Sequence, residues 1–143
     1  MKKIYSVGYT TGVFDLFHIG HLNLLRNAKE RCEKLIVGVT VDSLVQYKFK
    51  NSVIPFSERI QIVESIKYVD EAVPQETMDK IAMWKELKFD AIFVGDDWKG
   101  SDKWDTYEYE FKQIGVDTIY FPYTKSTSSS LINEELIKLR DGR

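Results

Sequence analysis

KIYSVGYTTGVFDLFHIGHLNLLRNAKERC, residues 3–32, is the stretch whose reading decides the fold. Residues 3–10 are rich in β-formers and close on Thr11 and Gly12. From Ile19 the spacing changes: Leu22, Leu25, Ala28 and Cys32 recur at helical intervals, with Arg26, Lys29, Glu30 and Arg31 on the other side. Strand, glycine turn and helix make one βα unit, and the same punctuation recurs along the chain. KLIVGVTV (34–41) is almost wholly apolar, as a strand covered on both faces should be, and Asp42 and Ser43 end it. EAVP (71–74), DAIFVG (90–95) and DTIYFP (117–122) read as three more strands. Between them lie a helix that Ser57 caps, carrying Ile60, Ile62, Val63 and Ile66, and a less cleanly amphipathic one over 77–88. A helix over 105–114 ends at Gly115, and a serine-capped helix carries Leu131, Ile132, Leu136 and Leu139. QYKFKNSVIPF (46–56) reads as a loop or a short helical turn.

Strands and helices therefore alternate, five of each, with short connections. The pattern predicts a single α/β domain over 1–143, a doubly wound, Rossmann-like, five-stranded parallel sheet with helices on both faces. At 143 residues the chain can bury a core without staples. With 43% apolar and 29% charged residues it is an ordinary globular composition, not a disordered one. A net charge of −2, with no basic stripe, speaks against a nucleic-acid-binding module and makes any anion site local. Cys32 is the one cysteine, so no internal disulfide forms; its place on the apolar side of the first helix reads as core, and the usage suits a reducing compartment. No apolar run approaches the roughly 20 residues of a membrane span, and MKK leads into a strand pattern instead of a signal-peptide block. A cytoplasmic protein is expected.

Ligands of such sheets bind beyond the carboxyl ends of the strands, near the point where strand order reverses. The loop there after the first strand carries both histidines of the chain, His18 and His21. A strand-to-helix turn offers free N–H groups and the positive end of a helix dipole, which favour phosphate. Gly12 permits close backbone approach, and Gly20 leaves the first helical turn bare between two imidazoles on one face, both able to donate to one phosphate. The alternative is an ordinary pair of surface or core histidines, but glycine in a helix costs about 1 kcal/mol and bulk apolar residues would serve a core better. The stretch lacks the GKS or GKT of a Walker A loop and the further glycines of a dinucleotide fingerprint. The next loop carries Lys48 and Lys50, whose alternate spacing in an extended segment would put both ammonium groups on one side; the plain alternative is a solvated basic loop. GDDW (95–98) ends a buried strand with two acids fit for a ribose, a base amine or a cation on triphosphate, though Asp97 could equally cap the next segment. YTKSTSSS (123–130) joins a strand to a helix, so its hydroxyls and N–H groups suit a second phosphate cradle better than a flexible linker.

HIGH (18–21) resembles the HxGH signature of the nucleotidyltransferase superfamily, and GVFDLFHIGH resembles its cytidylyltransferase form, in which Gly-x-Phe-Asp precedes the histidines. Class I aminoacyl-tRNA synthetases share the tetrapeptide, but this chain is too short for their further parts. The motifs run in the order of the bacterial glycerol-3-phosphate cytidylyltransferases from about residue 4 to residue 139. The resemblance implies transfer of CMP from CTP to a phosphoalcohol, sn-glycerol 3-phosphate in the nearest form, with release of pyrophosphate and formation of CDP-glycerol for polymer or lipid-headgroup synthesis. It implies His18, His21, Lys50 and Arg59 as catalytic residues. The nucleotide would be bound by Gly12, Val13, Phe14, Asp15, Ile19, Gly20, both histidines, Lys50, Asp96, Tyr123, Thr124, Thr127, Ser128, Ser129 and Ser130. The substrate would meet Lys48, Lys67 and Lys80, the last across a short deletion. Asp15 would orient the histidine turn or contacts of the opposite subunit, since the family is usually a homodimer. A divalent cation, Mg²⁺, would come on the nucleotide phosphates with no dedicated protein site. The chain departs from the family at two arginines: KYVDEAV has Lys67 in place of one, keeping charge but losing bidentate geometry, and Tyr123 replaces the leading arginine of RTEGISTT, with Lys125 nearby. The final threonines of that motif fall on Ser129 and Ser130 in one register or Ser128 and Ser129 in the next. A different phosphorylated alcohol, ATP in place of CTP, or a non-catalytic nucleotide sensor are the rival readings.

Overall fold

The computed structural model describes residues 4–46, 52–122 and 129–141. Five strands, β1 (Tyr5–Gly12), β2 (Cys32–Thr40), β3 (Glu71–Gln75), β4 (Ala91–Gly95) and β5 (Asp117–Phe121), form one sheet in the order β3-β2-β1-β4-β5. Every pairing is parallel. Six helices connect and follow them: α1 (Ile19–Lys29), α2 (Asp42–Gln46), α3 (Phe56–Glu64), α4 (Lys80–Leu87), α5 (Asp102–Gln113) and α6 (Ser129–Asp141), with a 3₁₀ turn at Asp96–Trp98. This is the expected doubly wound α/β architecture, with α2 and the 3₁₀ turn as additions.

Two apolar layers account for the sandwich. On one face Leu35, Val37 and Val39 of β2 and Phe93 of β4 pack with Leu25 and Ala28 of α1 and Val63 of α3. On the other, Ile36, Ile92 and Val94 pack with Met83 of α4 and Trp104 and Phe111 of α5. Consecutive residues of β2 and β4 thus serve opposite layers, which is why their sequences are apolar without alternation. Strand order reverses between β1 and β4, so the crevice there is flanked by the turn after Gly12 and the turn after Gly95.

Local boundaries differ from the sequence reading where a distant side chain does the capping. The third helix starts at Phe56 after Pro55, which makes no side-chain cap, and Ser57 is not its cap. The Phe56 N–H instead donates to Asp42 Oδ2 at 3.1 Å. The helix expected over 77–88 begins only at Lys80, because Asp79 Oδ1 accepts from the N–H groups of Ile81 and Ala82. The one expected over 105–114 begins earlier, at Asp102, since Ser101 Oγ caps it at Trp104 N. Cys32 is core, as expected, but as the first residue of β2 and not as part of a helix. Burial pushes its thiol up to about 11, so it is no nucleophile.

Candidate active site

The turn between β1 and α1 is wound tightly. Phe14 (φ 55°) and Leu16 (φ 50°) both sit in the left-handed region, a strain of about 1–3 kcal/mol each for bulky residues. Gly12 is small because Phe14 folds back over it: a Cβ there would stand 3.2 Å from the Phe14 ring. Phe14 buries its ring in the core and, with Phe17, walls the His21 imidazole at centroid distances of 5.2 and 5.3 Å.

His18 is the N-cap of α1, one position outside the helix proper. Its Nδ1 accepts from Gly20 N at 3.0 Å, and His21 Nδ1 accepts from His18 N at 3.2 Å, a reciprocal capping box built from two histidines. The rings stack at 3.9 Å. Because each Nδ1 accepts a backbone proton, each neutral ring must carry its own proton on Nε2. Burial holds His18 below the ordinary imidazole range and, with the adjacent His18, lowers His21 to about 3. Both rings are therefore neutral near pH 7, with an Nε2–H donor each and no charge of their own.

Asp15 holds the turn to the segment leading into α3: its carboxylate accepts from Val53 N at 2.8 Å and Ile54 N at 2.9 Å. Asp15, expected to orient the histidine turn or contacts of the opposite subunit, is tied by these bonds to the segment before α3. Arg59 lies differently from the phosphate-facing residue expected. It is 0% exposed, and Nε donates to Ile54 O, Nη1 to Val13 O and Thr40 O, and Nη2 to Asp42 Oδ1, at 2.6–2.8 Å. Its guanidinium faces into the protein because three carbonyls and a carboxylate converge on it there. Asp42, which the sequence reading left out, also accepts from Ser52 Oγ and Phe56 N; the Phe56 N–H first, then Arg59 and Ser52, hold its carboxyl below the usual range. Its signal was available: it follows a buried strand at the binding edge.

Asp96 begins the exposed turn at the carboxyl end of β4, across the crevice from the histidines, and Trp98 of the same turn is about half exposed. Lys80 is the first residue of α4, buried, in the connection after β3. Ser129 and Ser130 open α6, beyond the carboxyl end of β5. Ile19 and Gly20 form the first positions of α1. Lys48, Lys50, Tyr123, Thr124, Lys125, Thr127 and Ser128 lie outside the described residues. Lys67 is not brought to this edge. It lies in the connection into the amino end of β3, where Asp70 accepts from Leu35 N and Lys29 Nζ, and its own ammonium lies 5.2 Å from the Tyr68 ring centroid. That amino end of β3 is the opposite end of the sheet from the turn that carries the histidines. A buried polar group unseen in the sequence closes the same edge: Gln75 Oε1 accepts from Thr11 Oγ1 and Thr40 Oγ1, each at 2.6 Å.

Residues 9–135 match the family model described as cytidylyltransferase-like. The chain belongs to that family. It is, by that membership, a nucleotidyltransferase. It is 34% identical to the glycerol-3-phosphate cytidylyltransferase of Bacillus spizizenii over 140 residues, covering 97% of this chain and 100% of that protein. An FAD synthase of Archaeoglobus fulgidus is 33% identical over 136 residues, covering 93% of this chain and 98% of the relative. Among solved structures, the lipopolysaccharide core biosynthesis protein of Thermoplasma volcanium matches the fold with a TM-score of 0.71 at 24% identity, over 86% of this chain and 99% of that one. Among the described residues no helix is long and apolar enough to cross a membrane.

Proposed function

We propose that this chain is a cytidylyltransferase that transfers CMP from CTP to sn-glycerol 3-phosphate, releasing pyrophosphate and CDP-glycerol. The acceptor's phosphate oxygen, already ionised at neutral pH, forms a bond to the α-phosphorus of CTP as the bond to the β-phosphate bridging oxygen breaks. No general base is needed. The work is to bring two anions together and to hold charge on the α-phosphate and the leaving pyrophosphate. The observation that carries the reading is the histidine pair: backbone N–H groups occupy both Nδ1 atoms, leaving two neutral Nε2–H donors at a helix N-terminus. Neutral donors can follow charge as it develops on a phosphate without repelling one another.

Asp96 at the end of β4 supports a contact to ribose or base, and Ser129 and Ser130 at the start of α6 support a second phosphate cradle. Lys48 and Lys50 are assigned the substrate and nucleotide phosphates, and Lys80, at the start of α4, the acceptor. The Asp15 and Asp42 carboxylates are engaged with backbone N–H groups, and among the described residues no three His, Cys, Asp or Glu cluster as a metal cage. Mg²⁺ is assigned to the triphosphate itself, with no dedicated protein site. Bound there, the ion would screen the repulsion between the two anions. A homodimer in the cytoplasm, its product consumed in polymer or lipid-headgroup synthesis, completes the reading.

The similarity to FAD synthases keeps a second acceptor in play: a nucleotidyl transfer to another phosphorylated compound would use the same turn. Pyrophosphate release would be measured with Mg²⁺ and either CTP or ATP, against glycerol 3-phosphate, phosphocholine, phosphoethanolamine, ribitol 5-phosphate and FMN. Release that needs CTP and glycerol 3-phosphate together supports the proposal. Release with ATP and FMN moves both substrates while keeping the mechanism, and binding without release in any pair makes the chain a sensor.

A further inference from the structure

Arg59 is the largest fully buried side chain among the described residues, and four of its five N–H groups are already engaged. Its complete burial keeps it from meeting a phosphate from solvent in this arrangement. Its position still bears on phosphate, through the peptide it grips. Nη1 holds Val13 O at 2.7 Å. There is no cis peptide in the described chain, so the Val13–Phe14 unit is trans, and its N–H points opposite to its carbonyl. The Phe14 N–H is thereby turned away from Arg59, and it meets no protein acceptor among the described residues. A backbone donor left without a partner beside a helix N-terminus suits an anion.

The grip is also what the strained turn requires. Phe14 and Leu16 persist at positive φ only if their surroundings over-determine them. Arg59 supplies that constraint from one side, tying Val13 O to Thr40 O at the end of β2 and to Ile54 O. Asp15 supplies it from the other, through Val53 N and Ile54 N. Asp42 closes the set by balancing the guanidinium and accepting from Ser52 Oγ and Phe56 N.

We propose, resting on the nucleotidyl-transfer reading, that Arg59 and its counter-ion Asp42 are positioning residues: they set the Val13–Phe14 peptide so that the Phe14 N–H donates to a nucleotide phosphate, while Arg59 itself touches no ligand. A lysine at 59 would keep the charge but could not span Val13 O, Thr40 O and Asp42 at once.

The test is two-dimensional NMR on ¹⁵N-labelled full-length protein titrated with CTP and Mg²⁺, and with inorganic triphosphate as the base-free probe. The expected result is a large downfield shift of the Phe14 amide proton with an unmoved Arg59 Nε resonance. In Arg59→Lys, and in the charge-neutral pair Arg59→Met with Asp42→Asn, the Phe14 response collapses, and turnover falls about tenfold or more while the acceptor KM holds. The Arg59 Nε measurement needs only the wild-type protein, so it stands even where a variant fails to fold. An Arg59 Nε shift on ligand addition would overturn the positioning role, as would a folded variant with wild-type turnover and Phe14 response. A wild-type protein in which neither probe moves any turn amide overturns the nucleotidyl-transfer reading and this inference with it, an outcome distinct from the first two.

Discussion

His21 makes the protein's stability depend on pH in a way that can be worked out from its surroundings. Burial, with His18 beside it, lowers the folded-state pKa from 6.5 to about 3. The unfolded chain therefore binds a proton that the folded chain refuses over the interval between those values. Stability from this group is present in full above the unfolded value and is lost as pH falls toward the folded one. Moving from about pH 7 to about pH 4.5 should cost about 2 kcal/mol, from roughly 1.4 kcal/mol per unit over most of two units. The control is His21→Asn, whose side-chain oxygen can take over the bond from His18 N–H but cannot titrate. Urea unfolding of both proteins at the two pH values isolates the group, since every other titration is shared. The wild type should lose about 2 kcal/mol more than the variant on acidification. Equal losses would refute the buried, neutral His21 and with it the Nε2–H tautomer. Bound CTP should reverse part of the effect, because a triphosphate beside the rings favours their charged form.

Replacing His18 or His21 by alanine should lower turnover more than about tenfold, read by pyrophosphate release, and His18→Ala should also cost about 1 kcal/mol as a lost N-cap, read by thermal unfolding. Asp15→Ala leaves the Val53 and Ile54 N–H groups without their acceptor and should destabilise by about 1–3 kcal/mol in urea titration; an unchanged midpoint would mean water replaces the carboxylate freely. Gly38→Ala would drive its Cβ into Tyr9 Oη, in a strand buried on both faces, so unfolding should come about 1–3 kcal/mol earlier.

How the site was legible differs residue by residue. His18, Gly20 and His21 could be read because their chemistry is local: a capping box lies within four residues, and its spacing is written in the chain. Asp96 could be placed because the end of a buried apolar strand is also a local signal. Arg59 and Lys67 were assigned to phosphate from motif position, and position along the chain says nothing of which way a side chain turns. Arg59 faces inward because Val13, Ile54 and the Thr40–Asp42 stretch, from three separate segments, meet at one point. Lys67 precedes a strand, and a residue before a parallel strand lies at the amino end of the sheet, opposite the turn that carries the histidines.

The sequence by itself determined the alternation of strands and helices and the parallel sheet they build. Apolar runs that serve two layers and periodic helix faces are properties of short windows, and burial is their physical cause. Tertiary structure alone decided where α3 and α4 begin, which carboxylates are engaged, and which way the buried arginine faces. Asp42 caps a helix that starts fourteen residues later, as its bond to Phe56 N records. Such a bond forms only when the folded sheet has brought the two segments together, so nothing in either segment could announce it.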